Sequence, residues 1–152
     1  MTIRPVLRLV HAVVGVIAFV VIACFLTATI RAEISGNAPA IIAAKAWIVA
    51  KLPFLIVALV LTGATGAVLT GGKPRGLAAR KLLRMKIAAP NGLLILIPAA
   101  LFLEWKAQRA EFDAAFYAVQ VLELVAGTLN LVLFALNIRD GLKMRGRFRR
   151  AA

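Results

Sequence analysis

One cysteine and one histidine in 152 residues remove most site chemistries before any motif is sought. Cys24 alone builds no disulfide framework and no thiolate metal cluster within one chain. Acids are scarce as well: six Asp and Glu stand against nineteen Lys and Arg, a formal charge of +13. The chain contains no Walker loop, no HExxH, no CxxC and no Ser-His-Asp order with suitable partners. Nucleotide-binding, structural-zinc and hydrolase readings therefore lack their residues. No convincing internal repeat or low-complexity segment is present.

What the chain does have is apolar length. Its hydrophobic share is 62% and its mean hydropathy +0.94, whereas a soluble domain is apolar over about 45–50% of its residues. Lipid is the solvent that such a surface needs. Four apolar runs, at about residues 6–30, 49–70, 87–105 and 114–138, each suit a hydrocarbon core about 30 Å thick. They predict an all-α integral membrane protein, an antiparallel four-helix transmembrane bundle in a single domain over residues 1–152. The first run exceeds 20 residues, too long for a signal-peptide core of about 7–15, and reads as a retained span. Lys45, Trp47 and Lys51 crowd the start of the second run, which places the interface there and the lipid-buried part from Val49. Pro98 predicts a kink in the third span, because proline lacks the helical N–H and crowds the carbonyl of Leu94. Gly141 and Gly146 mark where the fourth helix can end.

Charge gives the orientation. The basic stretch 73–86, KPRGLAARKLLRMK, holds six cations and no acid. With Arg4, Arg8 and the basic tail 139–152 it accounts for fourteen of the nineteen cations, against Asp140 alone. The positive-inside rule then puts both termini and the middle loop in the cytoplasm. Leu77, Leu82, Leu83 and Met85 among the cations suggest a brief interfacial helix on headgroups. Arg75, Arg80, Lys81, Arg84, Lys86, Arg145 and Arg147 are the candidate contacts to anionic lipids, and nucleic acid is excluded as the economical reading of this charge. A bacterial inner (cytoplasmic) membrane is the expected location. Trp47, Trp105 and Tyr117 fall near the outer boundary, as an interfacial belt requires.

Polar residues inside the spans are the remaining candidates. Gln120, Glu123, Gly127, Asn130 and Asn137 fall on one stripe of the fourth span, which should face the other helices. Glu123 lies deep enough that its carboxylate needs a partner or a proton, and Lys51 is the expected partner by depth. An interhelical tether and a proton relay both fit it. His11, Asn91 and Asn137 are estimated to lie at similar depth near the cytoplasmic side and are the candidate cofactor-binding pocket, as well as a candidate hydrogen-bond cluster.

Arg8-Leu-Val-His11 at the start of a span resembles the R-x-x-H of small b-type haem membrane proteins of the cytochrome b561-like group. The resemblance covers one helix and implies haem b with His11 as an axial ligand to iron. Those proteins use several histidines, so here a haem would need Met85 as sixth ligand, an open position, or a second copy of His11 across a dimer. The expected function is a non-enzymatic accessory subunit or scaffold that docks a membrane partner or another copy and binds anionic lipid. The alternatives are electron transfer by haem b or at a quinone pocket, and a small proton-coupled transporter using Glu123 with Lys51.

Overall fold

The structure is a computed structural model that describes residues 3–71 and 74–149. Those residues form helices α1 (Ile3–Ser35), α2 (Ala38–Thr70), α3 (Leu77–Asn91), α4 (Ile97–Ala107) and α5 (Ala114–Arg149), with one π-helical turn, Gly92–Leu96, between α3 and α4. No strand occurs among the described residues. The α3–π–α4 run is continuous. Four segments, Ile3–Ser35, Ala38–Thr70, Leu77–Ala107 and Ala114–Met144, are long and apolar enough to cross a membrane. The protein is a multi-pass, all-α membrane protein built as a four-helix bundle.

Short connections force successive helices to run antiparallel. Between α1 and α2 only residues 36–37 are non-helical. Gly36 takes φ 61°, the left-handed conformation that closes a helix C-terminus, and its N–H reaches the Glu33 carbonyl at 3.1 Å. Pro39 follows at the start of α2, where a missing N–H costs nothing. Helix α1 packs on α2 and α5, and the α3–α4 run packs on α2 and α5, so the four spans close a ring.

The helices are longer than the apolar runs predict. At about 1.5 Å per residue, the 33 residues of α1 or α2 extend about 50 Å, well beyond a hydrocarbon core of about 30 Å. The second span begins at Ala38 rather than Val49, and the third at Leu77 rather than Ile87. Most of the basic stretch 73–86 is therefore the first three turns of a span and not a separate interfacial helix. Nor does α5 end at Gly141 or Gly146; it continues to Arg149. Lys73 and the side chains of Arg145 and Arg147 lie outside the described residues.

Pro98 acts on the backbone as a π-turn. The Ile97 N–H bonds back to the Gly92 carbonyl, five residues earlier, just before the proline. Widening the helix there accommodates a residue that has no N–H and crowds the preceding turn. Pro53 and Pro90 lie inside α2 and α3 without ending them.

Three apolar layers fill the ring. Ala32, Ile41, Leu103, Ala107 and Phe116 form one near the 36–37 connection. Ile48, Leu52 and Ala100, with Phe25, Val49 and Ile97, form the next. Ala18, Ile22, Leu55, Ala58, Ala88 and Phe134 form the third, toward the basic end. The polar residues of the spans sit between and beside these layers.

Candidate functional site

Between the first two apolar layers, Lys45 of α2 is 1% exposed and its Nζ lies 2.6 Å from Oε2 of Glu123, itself 13% exposed. Lys45 also donates to Oγ1 of Thr29 on α1 at 3.5 Å. Gln120 Nε2 donates to the same Glu123 oxygen at 3.1 Å. Helices α1, α2 and α5 are thus tied at one level.

Lys45, and not Lys51, is the partner of Glu123. Lys51 is exposed, whereas Ile41, Lys45, Ile48, Leu52 and Leu55 are buried at successive intervals of four, three, four and three. That spacing is the inward stripe of a packed helix. Placing the interface by hydropathy alone put Lys45 outside. Its stripe position carried the contrary signal.

Deeper in the bundle, Asn91 Nδ2 donates to Asn130 Oδ1 at 2.8 Å and to the Ala126 carbonyl at 2.9 Å. Asn130 Nδ2 returns a bond to the Ala88 carbonyl at 3.2 Å. At the basic end, Arg84 Nη1 donates to Asp140 Oδ2 at 2.7 Å and to Asn137 Oδ1 at 3.2 Å. Asn137 Nδ2 donates to the Lys81 carbonyl at 3.5 Å. Both sets join the third span to α5.

His11 stands apart from these. Its Nδ1 lies 3.0 Å from the Thr62 carbonyl and 3.1 Å from Thr65 Oγ1, both on α2. The Thr65 hydroxyl donates to the Leu61 carbonyl at 2.6 Å, so it accepts from an Nδ1–H tautomer of His11. No hydrogen bond joins any two of His11, Asn91 and Asn137, and the expected pocket is three separate tethers. The reason is register. Because the third span starts at Leu77, Asn91 lies about 21 Å along it and meets Asn130 rather than Asn137.

The two candidate haem ligands of one chain pack in different surroundings. A Cβ at Gly66 would meet His11 Cε1 at 3.1 Å, so the ring is closely packed on α2. Met85, the candidate sixth ligand, packs against the third apolar layer. No cluster of three His, Cys, Asp or Glu able to hold a metal ion occurs among the described residues. Gly66→Val is expected to push α1 off α2 and lower stability by about 1–3 kcal/mol. His11→Ala in the Gly66→Val background should recover part of that loss, as read by unfolding in mixed detergent micelles.

Outside the spans, Asp113 caps α5: its Oδ1 accepts the Phe116 N–H at 3.0 Å and its Oδ2 accepts from Lys106 Nζ at 2.6 Å. The Lys106 ammonium first, and the Phe116 amide second, hold its carboxyl below the ordinary carboxylate range. A depressed folded-state value contributes stability above the unfolded value, near pH 4, and loses it as pH falls through the folded value. Hydrogen exchange at the Phe116 amide should lose protection below about pH 4, and Asp113→Asn should abolish that pH dependence while keeping an acceptor.

Trp47, Trp105 and Tyr117 are each partly exposed, and the Arg109 guanidinium sits 4.3 Å over the Trp105 ring. Arg75, Arg80 and Lys86 are exposed at the other end, while Lys81 and Arg84 are half-buried beside Asp140. No protein-family model, no curated protein and no solved structure matches the chain.

Proposed function

We propose that the chain is a non-enzymatic accessory subunit or scaffold of a bacterial inner membrane, which docks a membrane partner and holds anionic lipid at its basic end. One observation supports this above the others. The polar side chains of the fourth span bond to Lys45, Arg84, Asn91 and backbone carbonyls of neighbouring helices. Interhelical ties of this kind fix the register of a bundle in lipid, where apolar surface alone drives no helix association. The α1 span is the least covered of the four and the most apolar, which leaves a face for a partner span.

The partner is tested by cross-linking the protein in its native membrane and purifying it under mild detergent. A single membrane protein recovered at fixed stoichiometry supports the reading, and recovery of the chain alone contradicts it. Lipid retention is tested separately. Each cation near an anionic surface contributes about 1 kcal/mol, so replacing Arg75, Arg80 and Lys86 together with Gln should lower the preference for anionic over zwitterionic lipid by up to roughly a hundredfold. Native mass spectrometry of the lipid-bound protein reads this directly.

A further inference from the structure

One cation at the basic end has no answering charge. Lys81 of α3 is half-buried, and its Nζ lies 3.4 Å from where a Cβ on Gly141 would be, so the ammonium rests against α5. The carboxylate next to that glycine is already engaged. Asp140, 2% exposed, meets Arg84 Nη1 through Oδ2 at 2.7 Å and Arg139 Nε through Oδ1 at 3.4 Å. Asn137 Oδ1 also accepts from Arg84, at 3.2 Å. The Lys81 ammonium makes no hydrogen bond or ion pair among the described residues.

Nothing else in the chain supplies the missing charge. Asp140 is the single acid at this end: α2 and α3 contain none, and Glu33, the first acid of α1, lies near that helix's far end. Glu104, Glu111 and Asp113 flank the connection from α4 to α5, and Glu123 is held by Lys45. Lys81, Arg84 and Arg139 against Asp140 alone leave two positive charges in excess. Helix α3 adds to them, because its first turn has no acid to face the positive end of the helix dipole. A half-buried ammonium is costly without an acceptor, and here the acceptor has to be an anion from outside the chain.

We infer that Lys81, Arg84 and Gly141 form a site for one phosphate monoanion, carried by a lipid of the leaflet at the basic end. Lys81 supplies the charge, and Gly141 leaves its ammonium uncovered. Arg84 spends only Nη1 on Asp140 and Asn137, so its guanidinium keeps donors for a second phosphate oxygen. Leu82 and Leu142, next in sequence to Lys81 and Gly141, are exposed, as is Leu83. Apolar side chains there suit acyl chains, whereas a free phosphate ion gains nothing from them. The inference rests on the reading of the basic end as a lipid-holding face and adds to it one lipid at a defined place.

Native mass spectrometry of the full chain in detergent tests it, with phosphatidylglycerol, phosphatidylcholine and inorganic phosphate titrated separately. One phosphatidylglycerol is expected to bind more tightly than those that follow. Lys81→Met and Lys81→Gln should each lower that first affinity by about fivefold or more, the contribution of one cation at an anionic surface, while Lys81→Arg keeps it. Gly141→Leu retains every charge but covers the ammonium, and should lower it too; a merely structural Lys81 would leave it unmoved. Lys143, exposed and about 200° round α5 from Gly141, is the control: Lys143→Met should leave the first lipid in place. Replacing Arg75, Arg80 and Lys86 with Gln should weaken the later lipids and spare the first, so this site and the general lipid preference fail separately. An unchanged first affinity in both neutral Lys81 variants, or an equal loss in Lys143→Met, overturns the proposal. Lys81-dependent binding of inorganic phosphate with no preference for phosphatidylglycerol over phosphatidylcholine overturns the lipid assignment. A thermal melt of each variant without added lipid verifies that it folds.

Discussion

Lys45→Met is expected to destabilise the bundle by about 3–5 kcal/mol, because it leaves a carboxylate inside the bundle without its counter-charge. Glu123 is 13% exposed and makes a 2.6 Å contact with Lys45. Its remaining partner is the neutral amide of Gln120. The second substitution decides the interpretation. In Lys45→Met/Glu123→Met both charges are gone, the desolvation cost goes with them, and most of the lost stability should return. Unfolding in mixed detergent micelles measures all variants on one scale. Wild-type stability in Lys45→Met alone would mean that the pair does not tie α2 to α5.

Asn130→Leu is expected to cost about 2–4 kcal/mol, from two sources that a smaller substitution separates. The asparagine accepts from Asn91 at 2.8 Å and donates to the Ala88 carbonyl at 3.2 Å, so one side chain grips α3 twice. Its amide nitrogen also lies 3.6 Å from the place where a Cβ on Gly92 would be, at the first residue of the π-turn. Leucine loses both bonds and presses a branched methyl pair on that close approach. Asn130→Ala loses the bonds without the pressure and should cost about 1–2 kcal/mol. Equal costs for the two would remove the steric part of the explanation.

The four spans were legible in the sequence because lipid demands long apolar runs and little else satisfies them. The inward stripe of Gln120, Glu123, Asn130 and Asn137 was legible for the same reason that helical periodicity is. Helix boundaries were not. Hydropathy marks where the chain meets hydrocarbon, but a helix continues wherever its residues tolerate it, and 77–86 contains no breaker to stop one. That single difference shifts Asn91 by several turns and moves its partner from Asn137 to Asn130. Lys45 was misplaced because a cation near a span end looks interfacial until its stripe is read. Glu33 escaped notice for a related reason: it lies beyond the apolar run ending near residue 30, whereas α1 continues to Ser35. The π-turn at Gly92–Leu96 was foreseen as a disturbance at Pro98 but not as this geometry.

The proposed lipid retention at the basic end depends on sidedness. Cysteine accessibility measures it in a Cys24→Ser background, with single cysteines at Asn37, whose φ is −97°, and at the exposed Arg75. A membrane-impermeant maleimide should label Asn37→Cys from the outer side of the sealed membrane and Arg75→Cys only after that membrane is opened. The reverse pattern would invert the orientation. Labelling of both from the same side would contradict an antiparallel bundle in which α2 separates them.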